Sequence, residues 1–251
     1  MKINKRKFKQ STNFSFSISI WNVLKEDGER FGYSKNNNVN ISGFLNSLIP
    51  TLSHYREDVH SKFVKYNNGN EETTLLVERN IFNVYLKTFD LNDDAIMNVP
   101  FRISKKYKSE FIYIHDVLLE KYNMNFTSYI RTLLNEYCSK RVVHRELFYY
   151  YDKIQIINDN IVGQKECNFY SKDGNSCAFV PMFIDAIDES NYICGVTLKD
   201  YNPTCFKISE LDNIIELDKK ITCKNLDYDN IYKICLSLMK KENGKCLVLK
   251  K

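Results

Sequence analysis

The sequence predicts an α+β protein in which a duplicated strand-helix-helix region is followed by a small antiparallel β-barrel. Two observations predict this class. A residue pattern recurs after 85 positions in the first half, and short β-like stretches follow at intervals of roughly 8 to 12 residues in the second half. At 251 residues and 43% hydrophobic, the chain is long enough to bury a core in each part. We expect the duplicated region over residues 1–145, the barrel over 146–220 and a C-terminal appendage over 221–251.

The first element of each copy is a strand with one buried face. Residues 14–19 and 99–104 alternate apolar and polar side chains with period two. A shift of 85 positions superposes Phe14 on Val99 and Phe16 on Phe101. The positions that we expect on the outward face are Asn13, Ser15, Ser17, Arg102 and Ser104.

Two helix-length segments follow each strand. The same gap-free shift aligns residues 40–49 with residues 125–134, where apolar residues recur at helical spacing. The side chain of Asn40 or Ser42 can accept hydrogen bonds from the free amides of the first helical turn, and Asn125 or Thr127 can do the same in the second copy. The copies cover about 12–53 and 97–140.

An insertion, residues 54–96, separates the two copies. Residues 67–70, Asn-Asn-Gly-Asn, predict a turn, and residues 73–78 are compatible with a strand. The pattern of this segment indicates no function.

Strand, helix and capped helix follow one another in ribbon-helix-helix proteins, and both copies resemble that family. An isolated strand leaves its backbone groups unpaired, so we expect the two strands to pair antiparallel within one chain as a pseudo-dimer. The resemblance implies that this ribbon enters a DNA major groove while the second helices point at phosphates. Basic side chains beside these elements add positive charge, namely Lys5, Arg6, Lys7, Lys105 and Lys106.

The second half contains several short β-like segments separated by turn signals. They cover residues 167–170, 177–184, 191–197, 204–208 and 214–217. Such spacing is typical of a small barrel or sandwich. An amphipathic helix is expected over residues 228–241, and a terminal strand over residues 246–249.

Residues 147–218 resemble the WYL domain, a small SH3-like or Sm-like β-barrel of bacterial regulators. Tyr170 and Pro181 match a tyrosine and a proline of that family, residues 191–193 (Asn-Tyr-Ile) match its Trp-Tyr-Leu triplet, and residues 206–208 match its Phe-Arg-Leu. The resemblance implies a pocket for an anionic or nucleic-acid ligand, formed here by Tyr170, Tyr192, Phe206 and Lys207. Asn191 replaces the tryptophan, and Lys207 replaces an arginine, which keeps the charge but loses the planar fork.

Motifs of enzymes and metal sites are missing from the sequence. It has no phosphate-binding glycine loop, no Gly-x-Ser-x-Gly and no His-Glu-x-x-His. The eight cysteines form no Cys-x-x-Cys pair, so we expect reduced and mostly buried thiols, no catalytic residues, no cofactor and no metal site. His54 and His60, six positions apart, are expected in surface or capping roles.

No apolar run is long enough for a membrane span, and the first ten residues contain five lysines and arginines. We therefore expect a cytoplasmic protein without membrane partners. The net charge of +5 is compatible with a polyanionic partner.

Ribbon-helix-helix units joined to a WYL-like domain resemble the WYL accessory proteins of type VI-D CRISPR systems. This resemblance implies a non-enzymatic protein that binds single-stranded RNA and enhances an RNA-guided CRISPR ribonuclease. Exposed aromatics such as Tyr149, Tyr150 and Tyr151 could stack on bases. Two alternatives stay open: a ligand-responsive transcriptional repressor that binds duplex DNA, and a protein-interaction scaffold. A homodimer is also left open.

Overall fold

The computed structural model describes residues 11–88, 96–220 and 226–241. The chain divides into two compact units, Met1–Lys140 and Arg141–Lys251. The boundary expected at residues 145/146 falls within a helix of the second unit, Val142–Tyr149. Within the described ranges, none of the helices combines the length and the apolar character needed to cross a membrane.

The first unit contains a duplicated series of elements. In chain order its helices and strands are β1 Ser11–Ser17, α1 Ile18–Arg30, β2 Ser34–Lys35, β3 Asn38–Val39, α2 Ile41–Tyr66, α3 Glu71–Thr88, β4 Ile96–Arg102, α4 Lys108–Tyr113, α5 Leu119–Tyr122 and α6 Phe126–Cys138. A 3-10 turn, Lys105–Tyr107, precedes α4, and a π-helical turn, Ile114–Leu118, joins α4 to α5. Both β1 and β4, and both α2 and α6, begin 85 positions apart, so the repeat extends to the element boundaries.

β1 and β4 form a two-stranded antiparallel ribbon. At its centre Phe14 lies opposite Val99, which is the residue 85 positions further along the chain. The outermost pairs are Ser11 with Arg102 and Ser17 with Ile96. They are equivalent to each other, because Ile96 is 85 positions after Ser11 and Arg102 is 85 positions after Ser17. The ribbon therefore has the register of an isologous contact, with a pseudo-two-fold axis through its central pair.

The inward face of the ribbon forms part of the core of the first unit. Phe14, Phe16, Val99 and Phe101 are all buried, as the alternating pattern predicts. The rings of Phe14 and Phe101 lie 5.1 Å apart across the two strands. This cross-strand aromatic packing fixes the register, because a shift by one residue would turn the buried side chains to solvent.

The second helix of each copy holds the strand of the other copy. The Asn46 side chain on α2 donates to the Arg102 carbonyl oxygen on β4 (2.8 Å) and accepts from the Ser104 amide (2.8 Å). The equivalent position on α6 is Arg131, whose guanidinium donates to the Ser15 carbonyl oxygen on β1 (3.4 Å). The two halves are therefore interlocked by paired contacts.

The insertion is helical. α2 continues to Tyr66, a turn follows, and α3 includes residues 73–78, so the expectation of a strand there was wrong. Asn70 accepts from the Thr73 amide (3.0 Å), and Thr74, Glu78 and Phe82 are buried at four-residue spacing. The packing of this helical face outweighs the β propensity of the local threonines and valine.

Buried polar pairs lie inside the helical part of the first unit. Arg56 on α2 forms an ion pair with Glu136 on α6, and His60 Nδ1 lies 2.7 Å from Glu78 Oε2 on α3. His60 is buried, so the expectation that it has a surface or capping role was wrong. Desolvation raises the pKa of the buried Tyr129, whose hydroxyl donates to Ser53 Oγ (3.4 Å).

The second unit is a five-stranded antiparallel sheet with helices packed on it. Its elements are α7 Val142–Tyr149, α8 Tyr151–Gly163, β5 Lys165–Ser171, β6 Ser176–Ile187, β7 Ser190–Thr197, β8 Pro203–Lys207, β9 Leu211–Lys220 and α9 Tyr228–Lys241. All five strands coincide with the predicted segments, and so does α9. The expected terminal strand at 246–249 lies outside the described residues.

The sheet has the order β8-β7-β6-β5-β9, and a 3-10 turn, Ile208–Glu210, connects its two edge strands. These edges do not pair with each other within the described residues, so the sheet is open and the expected closed barrel is not formed. Instead, α8 packs against β5, β6 and β9, while α9 packs against β7 and β8.

The pairing of β6 with β7 shifts its register at a bulge between Pro181 and Phe183. Opposite Pro181 lies Gly195, where a Cβ atom would meet the Val180 carbonyl oxygen at 2.0 Å. β6 and β7 can therefore approach this closely because residue 195 is glycine.

Candidate nucleic-acid interface

The outward face of the ribbon is polar. Asn13 and Arg102 are exposed and Ser15 is half-buried, on the face where the alternation places them. The Ser15 hydroxyl donates to Asn98 Oδ1 across the strands (2.7 Å). Asn98 extends the polar face, and it was not among the predicted residues because the alternating pattern begins only at Val99.

Beside one end of the ribbon lies a groove of about 330 Å³. It is lined by Ser11, Thr12, Asn13, Ser42, Pro100, Phe101 and Arg102. Ser42 is in the first turn of α2, so the groove joins the outward ribbon face to the amino end of a 26-residue helix. The positive end of the helix dipole favours an anion at this place.

The capping residues of α2 and α6 are equivalent in the two copies. Asn40 Oδ1 accepts from the Gly43 amide (2.8 Å), and Asn125 Oδ1 accepts from the Ser128 amide (2.9 Å). Of the alternatives left open by the sequence, the asparagines are therefore the caps. Ser42 has another contact: its hydroxyl accepts from the Arg102 amide (3.3 Å). Thr127 is half-buried in the first turn of α6.

Three exposed cationic residues follow one another closely where β4 ends: Arg102, Lys105 and Lys106. Lys105 and Lys106 are exposed in the 3-10 turn that follows β4, and this turn packs against α2. The Lys106 ammonium lies 5.0 Å from the ring centre of Tyr107. Arg102, Lys105 and Lys106 thus form a cationic group next to the groove, which we call the Arg102 end.

The opposite end of the ribbon has different chemistry. The shift of 85 positions places Ser17 where the first end has Arg102, and Ile96 where it has Ser11. Ile96 is 65% exposed and Met97 is 37% exposed, so this end presents apolar side chains to solvent. The two ends are related by the fold but differ in charge.

Two of the expected outward serines have other surroundings. Ser17 accepts from the Ile20 amide (3.4 Å) as the cap of α1, and its hydroxyl lies 2.9 Å from Ser19 Oγ. Ser104 follows the end of β4, and its Oγ is buried with no hydrogen-bond partner among the described residues. The basic residues Lys5, Arg6 and Lys7 lie outside the described residues.

Of the four residues expected to form a WYL-type pocket, the strand register pairs Tyr192 with Lys207 on one face of the sheet and places Phe206 on the other face. Tyr192 lies opposite Lys207, whereas Phe206 lies opposite Ile193, so the Tyr192 and Phe206 side chains are on opposite faces of the sheet. Both are buried. Tyr170 pairs with Ser176, the first residue of β6. Tyr192 pairs with Asp185, near the last residue of β6. The two tyrosines therefore lie at opposite ends of that strand.

Asn191, at the tryptophan position of the triplet, forms a buried polar link. Its backbone N–H and its side-chain Nδ2 each donate to Glu146 Oε2 on α7 (2.8 Å for both). Nδ2 also donates to the Val143 carbonyl oxygen (2.8 Å). Both Asn191 and Glu146 are buried. The asparagine therefore attaches α7 to the sheet.

The aromatic run Tyr149 to Tyr151 does not form an exposed stacking surface. Tyr150 and Tyr151 are buried, and Tyr149 is half-buried, so the expectation of exposed rings was wrong for the two that pack into the core. The Lys153 ammonium lies 5.2 Å from the ring centre of Tyr150 and donates to the Leu211 carbonyl oxygen (2.5 Å). Desolvation lowers the pKa of Lys153.

Comparison with known proteins shows a shared fold. No protein-family model matches the chain. A solved structure described as a CRISPR Cas-related protein superposes with a TM-score of 0.61 at 16% identity, over 91% of this chain and 70% of that chain. This similarity shows the mixed α+β fold.

Two further similarities are more limited. The proteasome accessory factor B/C of Arthrobacter aurescens gives a TM-score of 0.30 at 10% identity, over 52% of this chain and 23% of that chain, too low to carry an argument. A curated protein, the non-toxic nonhemagglutinin type A of Clostridium botulinum (strain Kyoto / Type A2), is 33% identical over 90 residues. That match spans 34% of this chain and 8% of the other protein, so it shows no family.

Proposed function

We propose that this chain is a non-enzymatic nucleic-acid-binding protein that uses the β1–β4 ribbon and the amino ends of α2 and α6 as its binding surface. The observation that carries the proposal is the ribbon itself, paired about Phe14 and Val99 with its polar face outward. A paired ribbon between two capped helices is the arrangement of ribbon-helix-helix proteins. On this proposal the 85-residue repeat is a pseudo-dimer of that kind.

Charge and geometry support contact with a phosphate backbone at the Arg102 end. A guanidinium can bind a phosphate through two parallel hydrogen bonds, and the amino end of α2 adds a favourable dipole beside it. Lys105 and Lys106 are exposed in the turn that begins three residues after Arg102. A backbone contact of this kind binds RNA or DNA without selecting a base sequence.

We further propose that the partner nucleic acid is single-stranded RNA and that the protein assists an RNA-guided CRISPR ribonuclease. Support comes from the fold shared with a CRISPR Cas-related protein over 91% of this chain. The asymmetry of the ribbon argues against a symmetric duplex site, because Ser17, Ile20 and Trp21 occupy the positions equivalent to Arg102, Lys105 and Lys106.

The direct test measures binding of the full chain to single-stranded RNA and to duplex DNA of matched length at one salt concentration. We expect tighter binding to the RNA, and Arg102→Ala to weaken it by about tenfold or more. The matched control is Lys62→Ala, which removes one exposed cation from α2, 20 residues and therefore about 30 Å beyond Ser42. Equal losses in the two variants would contradict a specific role for the Arg102 end.

The same variants test the assisting role. Wild-type protein should increase target and collateral RNA cleavage by a type VI-D effector, Lys62→Ala should do the same, and Arg102→Ala should lose most of the increase. An effector that cleaves equally with and without the wild-type chain would contradict this part of the proposal.

The geometry of the ribbon also favours a second function, a DNA-binding transcriptional repressor, because a two-stranded ribbon fits the major groove of duplex DNA. Duplex binding tighter than RNA binding by about a hundredfold or more would support this function instead. If neither nucleic acid binds to a well-folded chain, a protein-interaction scaffold is the better explanation.

A further inference from the structure

Three cysteines from three separate elements meet inside the second unit. Cys194 lies on β7, Cys205 on β8 and Cys235 on α9, and all three are buried. Their sulfur atoms lie within 4.8 Å of one another. Cys194 and Cys205 are cross-strand partners whose sulfurs are 3.1 Å apart. In the sequence these residues are 11 and 30 positions apart, which matches no metal-binding motif.

A fourth sulfur lies next to this group. Met239 follows Cys235 by one helical turn on the buried face of α9, and its Sδ is 3.7 Å from Cys194 Sγ. The sulfurs lie in a core cluster that also contains Val180, Tyr192, Val196 and Ile231. Among the described residues, no carboxylate or imidazole joins this group of three cysteines.

We propose that Cys194, Cys205 and Cys235, with Met239 beside them, bind a single thiophilic d10 metal ion, and that this ion is Cu⁺. Thiolates and thioethers are the ligands that Cu⁺ selects, and a buried group of thiols without carboxylates disfavours Mg²⁺, Ca²⁺ and Mn²⁺. Zn²⁺ shares the affinity for thiolates. However, structural zinc sites take their fourth ligand from cysteine or histidine, and this site has a methionine there.

The geometry needs little adjustment for such an ion. Metal–thiolate bonds of about 2.3 Å in a three-coordinate site place the sulfurs about 4 Å apart. The sulfur atoms here lie between 3.1 Å and 4.8 Å from one another, so shifts of side-chain torsions suffice. Each thiol that becomes a ligand loses its proton to solvent as its metal–sulfur bond forms, and no atom changes oxidation state.

Bound metal would connect α9 to the sheet. The helix packs on β7 and β8 through Ile231, Cys235 and Met239. Bonds from one ion to β7, β8 and α9 would cross-link all three elements. The ion would therefore stabilise the second unit, because the assembled site binds it more tightly than the separated cysteines of the unfolded chain do.

The test uses the full chain, reduced and without oxygen, titrated with Cu⁺ against a competing chelator and separately with Zn²⁺. We expect one tightly bound Cu⁺ per chain, an X-ray absorption spectrum with sulfur ligands alone, and a higher melting temperature with metal. Cys235→Ala should lose this equivalent and the thermal shift. Cys177→Ala is the control, since it removes a half-buried thiol from β6 outside the cluster and should leave binding unchanged.

Met239→Leu keeps the size and apolar character of the side chain, so it keeps the fold while removing the thioether. It should weaken Cu⁺ binding by about tenfold and leave Zn²⁺ binding unchanged, because the thioether is a soft donor that favours Cu⁺. Circular dichroism of each metal-free variant establishes that it is folded.

Three results would overturn the proposal. The first is wild-type protein that binds neither metal. The second is a bound metal that survives in a folded Cys235→Ala variant. The third is tight binding of Zn²⁺ in preference to Cu⁺, which would leave a thiolate site but reject Cu⁺ as its ion. None of these results depends on nucleic-acid binding.

Discussion

Asn191 shows how one side chain can set the position of a helix. It is buried on β7 and donates twice to the Glu146 carboxylate, which is itself buried. A carboxylate inside a protein is stable only when its hydrogen bonds are satisfied. The Trp-Tyr-Leu resemblance shows only a lost aromatic ring at this position, whereas the structure shows that a polar contact has replaced it.

We predict that Asn191→Ala lowers the free energy of unfolding by about 2 to 4 kcal/mol, because it removes a donor and leaves a buried carboxylate partly unpaired. Denaturant unfolding of the full chain measures this loss. Asn158→Ala, at an exposed position of α8, is the control and should change stability by less than about 0.5 kcal/mol. A similar effect in both variants would contradict the role of the Asn191–Glu146 link.

At the scale of elements, Asn40 and Asn125 cap α2 and α6 with equivalent hydrogen bonds. Asn40 and Asn125 accept from amides three residues ahead at 2.8 Å and 2.9 Å. We predict that Asn40→Ala and Asn125→Ala each cost about 1 kcal/mol. Because the caps lie on different helices, the double variant should lose the sum. Thermal or denaturant unfolding measures all three, and a cost at one cap alone would show that the copies differ in cap strength.

The sequence predicted the elements that have a strong local pattern. Period-two alternation placed β1 and β4, and turn signals placed the five strands of the second unit. α3 was missed because its threonines and valine favour strand locally, while the burial of Thr74, Glu78 and Phe82 on one helical face became visible only through packing.

Contacts between residues that are distant along the chain could not be predicted from the sequence. The hydrogen bonds of Asn46 to β4 join residues more than 50 positions apart, and no local pattern marks them. The cysteine cluster is similar, since β7, β8 and α9 bring its members together through sheet register and helix packing. The residues of the expected WYL-type pocket were chosen by motif alone, and a motif does not give the strand register, which places Tyr192 and Phe206 on opposite faces of the sheet.

At the scale of the whole molecule, the proposed binding to a nucleic acid should weaken as salt increases, because the chain carries a net charge of +5. We predict that Arg102→Ala reduces the slope of log affinity against log salt by about 0.7 on single-stranded RNA and about 0.9 on duplex DNA, the value for one lost phosphate contact. Titrations at several salt concentrations measure these slopes. An unchanged slope with weaker affinity would show that Arg102 contacts a base instead.

The pairing of β1 with β4 inside one chain also has a consequence for gene dosage. A ribbon built from two separate chains dissociates on dilution. The concentration of the assembled dimer, and with it the occupancy of a target, then falls with the square of the monomer concentration. Here the partner strand is supplied by the same polypeptide, and its effective concentration is set by the connecting chain. A cell that makes only a few copies of this protein therefore keeps every one of them with an assembled ribbon.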